Sequence, residues 1–125
     1  MLKLLVIDDE DEIIQVVGDF FKDEGFDVYT ADTGQAGLKL IGEQKPDVVF
    51  LDLKLPDISG LEILKQIRLS EQKCKVIVNT GYVENSLKEN AKKLGCDVFL
   101  SKPFNLIQLN EVLQKLIATN SVSRE

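Results

Sequence analysis

The stretch Val48–Leu55, Val-Val-Phe-Leu-Asp-Leu-Lys-Leu, constrains this chain more than any other part of it. Its first four residues form an apolar run, too short for a helix and too continuous for a half-exposed strand. Flanked by Pro46-Asp47 and Pro56-Asp57, the run suits a strand buried on both faces of a parallel sheet. Asp52 then falls where that strand ends. In open α/β sheets ligands gather beyond the carboxyl ends of the strands, so an acid there is placed for chemistry. A lone strand-end Asp would equally serve to start a turn, and the rest of the chain has to decide between the two.

Leu2–Ile7 predicts a second buried strand, ending in Asp8-Asp9-Glu10-Asp11. A helix follows, with Ile13, Ile14, Val16, Val17, Phe20 and Phe21 inward and Gly25 as a left-handed cap. At helical spacing these side chains cover an arc of roughly 160°, wider than the ~100° a core-facing stripe requires, so one edge is expected at the surface. Phe26–Ala31 alternates like a strand near a sheet edge. Asp32 or Thr33 caps a helix running to about Gln44, with Ala36, Leu40 and Ile41 inward.

Beyond the central strand, Ser59-Gly60-Leu61-Glu62 has the form of a capping box opening a helix with Leu61, Leu64 and Ile67. Lys75–Asn79 is the fourth strand and runs into Thr80. Glu84–Leu94 predicts a helix with a sparse inward set of Leu87, Ala91 and Leu94, ended by Gly95. Asp97–Leu100 is the fifth strand, followed by Ser101, Lys102 and Pro103. Asn105 with Gln108 caps a last helix striped by Leu109, Val112, Leu113, Leu116 and Ile117. Residues 1–118 are thus expected as one domain. Thr119–Glu125 has no periodicity and is expected to be a disordered tail or the start of a linker.

Strands alternating with helices imply right-handed crossovers and a doubly wound α/β sheet of five parallel strands with five helices on its two faces. All strand carboxyl ends then point one way. Asp8, Asp9, Asp52, Thr80 and Lys102 come from four different strand ends and converge on one rim.

Composition narrows the function classes. Over 125 residues the formal net charge is −6, which argues against a grip on nucleic-acid phosphates. There is no His, which excludes a histidine triad or a histidine-ligated metal within this chain. Cys74 and Cys96 match no metal spacing and precede apolar runs, as small buried hydrophobes do. No apolar run approaches the ~20 residues of a membrane span, and the opening Leu-Leu-Val-Ile is cut off by acids, so a cytoplasmic protein without membrane contact is expected.

Three carboxylates on one rim repel by roughly 4 kcal/mol per pair at ~4 Å and an effective dielectric near 20. Such a cluster either takes up protons or binds a divalent cation, and oxygen-only ligands suit Mg²⁺ better than zinc. With the Lys102 ammonium and the Thr80 hydroxyl, the rim forms a cradle for a phosphoryl dianion. Attack by the Asp52 carboxylate on phosphorus, giving an acyl phosphate, is the chemistry this arrangement favours.

Asp8-Asp9, Asp52 in Leu-Asp-Leu-Lys-Leu-Pro-Asp-Ile-Ser-Gly, Thr80 and Lys102-Pro103 together resemble the receiver domain of two-component response regulators. The resemblance spans about Leu2–Ala118. It implies a flavodoxin-like fold with strand order 2-1-3-4-5. It also implies that Asp52 accepts a phosphoryl group from a phosphohistidine of a sensor histidine kinase or histidine phosphotransfer protein. Asp9 would bind Mg²⁺ directly and Asp8 through water, with Asp52 and the backbone carbonyl of Lys54 completing the set. Thr80 and Lys102 would hold phosphoryl oxygens, Phe99 would change rotamer on activation, and the Lys102–Pro103 peptide would be cis. Leu55 and Lys75 depart from the commonest pattern away from the chemistry. Phe99 lacks the hydroxyl of the more usual Tyr, and Gly81 leaves the rim open to a donor.

Two other functions compete with a phosphorylation switch. A phosphatase of the haloacid-dehalogenase type also uses an Asp nucleophile and Mg²⁺, but it places a general acid two residues later, where this chain has Lys54. A degenerate receiver that only binds partners is opposed by the intact Asp8, Asp9, Asp52, Thr80 and Lys102. No DNA-binding or enzymatic module is present within these 125 residues, so output is expected through a partner protein or a further domain. Lys54 and Tyr82, two positions after Asp52 and Thr80, offer no carboxylate or amide to orient an attacking water, so slow dephosphorylation is expected.

Overall fold

The computed structural model describes residues 2–70, 72–81 and 85–123. Along the chain, β1 (Lys3–Ile7), α1 (Asp11–Asp23), β2 (Asp27–Ala31), α2 (Gly34–Gln44) and β3 (Val48–Asp52) are followed by α3 (Gly60–Leu69). Then come β4 (Lys75–Thr80), α4 (Asn85–Lys93), β5 (Val98–Ser101) and α5 (Leu106–Ser123). The strands form one parallel sheet in the order β2-β1-β3-β4-β5. This is the flavodoxin-like order, and the strand order reverses between β1 and β3, where such sheets leave a crevice at their carboxyl ends.

Alternation along the strands divides the core in two. Leu5, Ile7, Val49, Leu51, Val76 and Val78 meet Ile41 of α2, Ile63, Leu64 and Ile67 of α3, and Ala91 of α4. Leu4, Val6, Val48, Phe50, Ile77 and Leu100 meet Val17 and Phe21 of α1 and Leu109 and Leu113 of α5. Every residue of β3 is buried, as its unbroken apolar run requires. The over-wide stripe of α1 leaves Val16 46% exposed. In α4 only Ala91 is buried; Leu87 and, just past the helix, Leu94 are half-buried.

Local signals set most helix ends. Gly25 closes α1 at φ 96°, where a side chain would be strained. Thr33, rather than Asp32, caps α2 by accepting from the Ala36 amide, and Asn105 accepts from Gln108 at 2.6 Å. Ser59 Oγ accepts from the Leu61 amide, so the hydroxyl half of the expected reciprocal cap forms, one residue early. The Glu62 carboxylate stays exposed. The start of the helix expected from Glu84 lies outside the described residues, and α4 is described from Asn85.

One expectation changes. The backbone of α5 runs helically to Ser123, past the Ala118 at which the apolar stripe stops. A helix needs only its i→i−4 bonds to continue, and neither Gly nor Pro stands between Ala118 and Ser123 to stop it. Cys74 is buried, Cys96 is half-buried, and both are free thiols whose pKa burial pushes up.

Candidate functional site

The carboxyl rim gathers side chains from four strands. Asp8 follows β1 directly and is fully buried, Asp52 ends β3 and is 4% exposed, and Thr80 ends β4 and is fully buried. Lys102 follows β5. Its backbone amide donates to the Thr80 carbonyl at 2.8 Å, and its peptide to Pro103 is cis, as the resemblance implied. Asp9 is exposed at the mouth. The loop after β3 is held tightly, because Gly60 donates to the Leu53 carbonyl and a Cβ on Gly60 would strike the backbone carbonyl of Asp52.

Lys102 reaches into the acids. Its Nζ lies 3.2 Å from Asp52 Oδ2, 3.2 Å from Asp8 Oδ2 and 2.6 Å from Glu10 Oε1. Asp52 Oδ1 accepts from the Lys54 backbone amide at 3.2 Å, and Asp8 Oδ1 accepts from the Glu10 amide at 2.9 Å. Asp8 Oδ2 is buried and, beyond the ion pair with Lys102, has no aligned hydrogen bond among the described residues.

Burial is the main cause that raises the pKa of both Asp8 and Asp52; the amides of Glu10 and Lys54 and the charge of Lys102 work against it. For Lys102 burial pulls the ammonium down. The hydrogen bond to Glu10 and the charges of Asp52 and Asp8 outweigh that, and the net shift is upward, so the side chain stays cationic.

Oxygens of Asp8, Asp9, Glu10 and Asp52 lie within 4.8 Å of one another. Together with the under-bonded Asp8 oxygen, this all-carboxylate set fits a hard dication such as Mg²⁺. An open cavity of about 270 Å³ lies over Asp52, lined also by Asp9, Glu10, Lys54, Thr80, Gly81 and Lys102. A nucleophile with a cation beside it at the mouth of a small polar cavity can receive a small anion such as a phosphoryl group.

The sequence-predicted site residues Asp8, Asp9, Asp52, Lys54, Thr80 and Lys102 thus share one rim. Phe99 lies apart, half-buried in β5 against the core on the α2–α4 side. Tyr82 lies outside the described residues. Glu10 carried no role in the sequence reading, although it directly follows the acidic pair. Asn79 is fully buried between Val78 and Thr80, and a lone amide in an apolar strand is its only signal in the sequence. Asp57, across the sheet rim, accepts from the amides of Gly34 and Gln35 at 2.7 and 2.9 Å, and so caps α2 from the β3–α3 loop. Those bonds hold its pKa down.

Comparison with known proteins agrees with this fold. Residues 4–114 match the family described as the response regulator receiver domain. Sporulation initiation phosphotransferase F of Bacillus subtilis is 30% identical over 119 residues, covering 95% of this chain and 96% of that protein. Regulatory protein AtoC of Escherichia coli is 32% identical over 123 residues, covering 98% of this chain. This chain spans only 27% of that relative's length. A CheY-like response regulator receiver domain protein from Methanospirillum hungatei superposes with a TM-score of 0.95 at 26% identity, covering 98% of each chain.

Proposed function

The chain belongs to the response regulator receiver domain family, and from that premise we propose that it is a phosphorylation-activated switch with Asp52 as phosphoacceptor. The observation that carries this is the placement of Asp52, with Lys102 Nζ at 3.2 Å, at the mouth of the open rim cavity.

A carboxyl oxygen of Asp52 attacks phosphorus of a phosphohistidine on a sensor kinase or phosphotransfer protein. The P–N bond breaks, its electron pair goes to the imidazole, and an imidazole protonated on its other nitrogen leaves neutral. Lys102 turns from the Asp52 carboxylate to the incoming phosphoryl oxygens, and the Thr80 hydroxyl holds another. Asp8, Asp9 and Asp52, with the carbonyl of Lys54, would hold Mg²⁺, which when bound supplies the positive charge that lets a dianion approach three acids. The chain acts on itself only, as a signalling domain. Its matching over nearly the full length of a relative named as a phosphotransferase supports a role in a phosphorelay.

The donor docks on the exposed edge of α1. A cavity of about 420 Å³ lies there, lined by Ile13, Val16, Pro103, Phe104 and Leu106 and ending at Glu10 and Lys102. Output leaves by α4, β5 and α5. α4 has one buried residue, so it is among the least stable elements and the easiest to shift between pre-existing states. Phe99 and Thr80 are the coupling residues, and the receiver of the signal is a partner protein or a further domain joined beyond Ala118.

Incubation with Mg²⁺ and acetyl phosphate tests the reading. Intact mass should show one added phosphoryl group that hydroxylamine removes, and Asp52→Asn should abolish it. Phosphate found on Ser or Thr would overturn the assignment.

A further inference from the structure

Asn79 is buried and polar, stands one residue before Thr80, and has no task in the switch described above. It is fully buried, and among the described residues neither its Nδ2 nor its Oδ1 has a hydrogen-bond partner. In register it lies between Asp52 of β3 and Leu100 of β5. Side chains alternate along a strand, and the residues two positions back, Phe50 and Ile77, both belong to the core under α1 and α5. Asn79 and Asp52 therefore project to the same side from neighbouring strands, about 4.8 Å apart. The amide stands beside a carboxyl group whose two oxygens are already engaged, Oδ1 by the Lys54 amide and Oδ2 by Lys102.

A buried amide with no partner is a cost that native structures seldom carry without a reason. Resting on the Asp52 reading, we propose that Asn79 is a positioning residue for the phosphoacceptor. Once a phosphoryl group has drawn Lys102 off Oδ2, Asn79 Nδ2 takes its place as donor to the acyl group of Asp52. The amide is then unpaired before phosphorylation and paired after it. Its pairing free energy appears only in the phosphorylated state, so Asn79 biases the switch toward that state.

The test compares wild type, Asn79→Leu and Asn79→Ala in Mg²⁺, with and without excess acetyl phosphate. Phosphoryl uptake is read by intact mass and stability by the thermal midpoint. Asn79→Leu keeps the volume without the polar atoms, so its unphosphorylated form should melt above wild type by roughly 3–6 °C. Its gain in midpoint on phosphorylation should be smaller than wild type's by a similar amount. Asn79→Ala should lose the same part of that gain whatever its starting midpoint, which keeps the test intact if the Leu variant fails to fold. Uptake with a gain of wild-type size in the variants overturns this proposal alone. No uptake by wild type overturns the Asp52 reading, and this proposal with it.

Discussion

The Lys102 ammonium lies 3.2 Å from Oδ2 of Asp52, a residue 50 positions away in the chain. The same ammonium faces Asp8 and Glu10, so one cation serves three carboxylates, two of them buried. Among the described residues, that ammonium faces more negative charge than it can neutralise alone.

Stability should depend on pH in an unusual direction above the ordinary carboxylate range. The pKa values of Asp8 and Asp52 are raised above the ordinary 3.8, so the folded state binds more protons than the unfolded one. Stability then rises as pH falls from neutral through the raised values and levels off near the unfolded pKa. Without divalent ions, a series of melts should show the midpoint rising as pH falls through the raised values toward 3.8, and Asp52→Asn should flatten that rise. A lower midpoint at the acid end would contradict the assignment.

Mg²⁺ should relieve the same repulsion. Ligand that binds only the folded state stabilises it by about 2.7 kcal/mol at a hundredfold excess over Kd. Thermal melts with Mg²⁺ and with EDTA should differ accordingly, and Asp9→Asn should shrink the difference most. An unmoved midpoint in millimolar Mg²⁺ would remove the metal from the mechanism.

Asp57→Asn should destabilise the protein at neutral pH by weakening the cap on α2, lowering the midpoint by a few degrees. The Asp57 pKa is depressed by the amides of Gln35 and Gly34, so its contribution is fully present above 3.8 and is lost as pH falls through the depressed value. The midpoints of wild type and variant should therefore converge below that value. A constant gap down to the acid limit would show that the carboxylate charge is not what holds α2.

Lifetime of the acyl phosphate should be long. Lys54 borders the rim cavity with a side chain that cannot orient a water as a carboxylate or amide would. Tyr82, two positions after Thr80, offers no carboxylate or amide either. The double variant Lys54→Asn, Tyr82→Glu should lose its phosphoryl group about tenfold faster, equivalent to 1.36 kcal/mol in the barrier. Equal decay in wild type and variant would acquit both side chains of any shielding.

How far these features could be read in advance depended on how local their causes are. Val48–Leu51 is apolar without a break, and that pattern alone puts β3 in the middle of the sheet, because only a strand covered on both faces can bury every residue. Periodicity likewise located the other strands, the sparse inner face of α4 and the exposed edge of α1. Gly25, Thr33 and Asn105 marked helix ends through hydrogen bonds made within a few residues. Since parallel strands share a direction, the meeting of Asp8, Asp52, Thr80 and Lys102 on one rim was already implicit.

What the sequence could not carry was which side chains touch across that rim. Glu10 reads as one more acid in a run, and only the approach of Lys102 from β5 turns it into that lysine's shortest ion pair. Asp57 reads as a turn residue, yet its oxygens cap a helix more than twenty residues upstream. Asn79 reads as a strand residue, and its burial beside Asp52 depends on the register between β3 and β4. The end of α5 at Ser123 is a further case, since the apolar stripe stops earlier and backbone bonds alone continue the helix. Local pattern records which face of an element is buried. Contacts between residues far apart in the chain are set by register and by the final positions of the loops, and those exist only once the sheet has assembled.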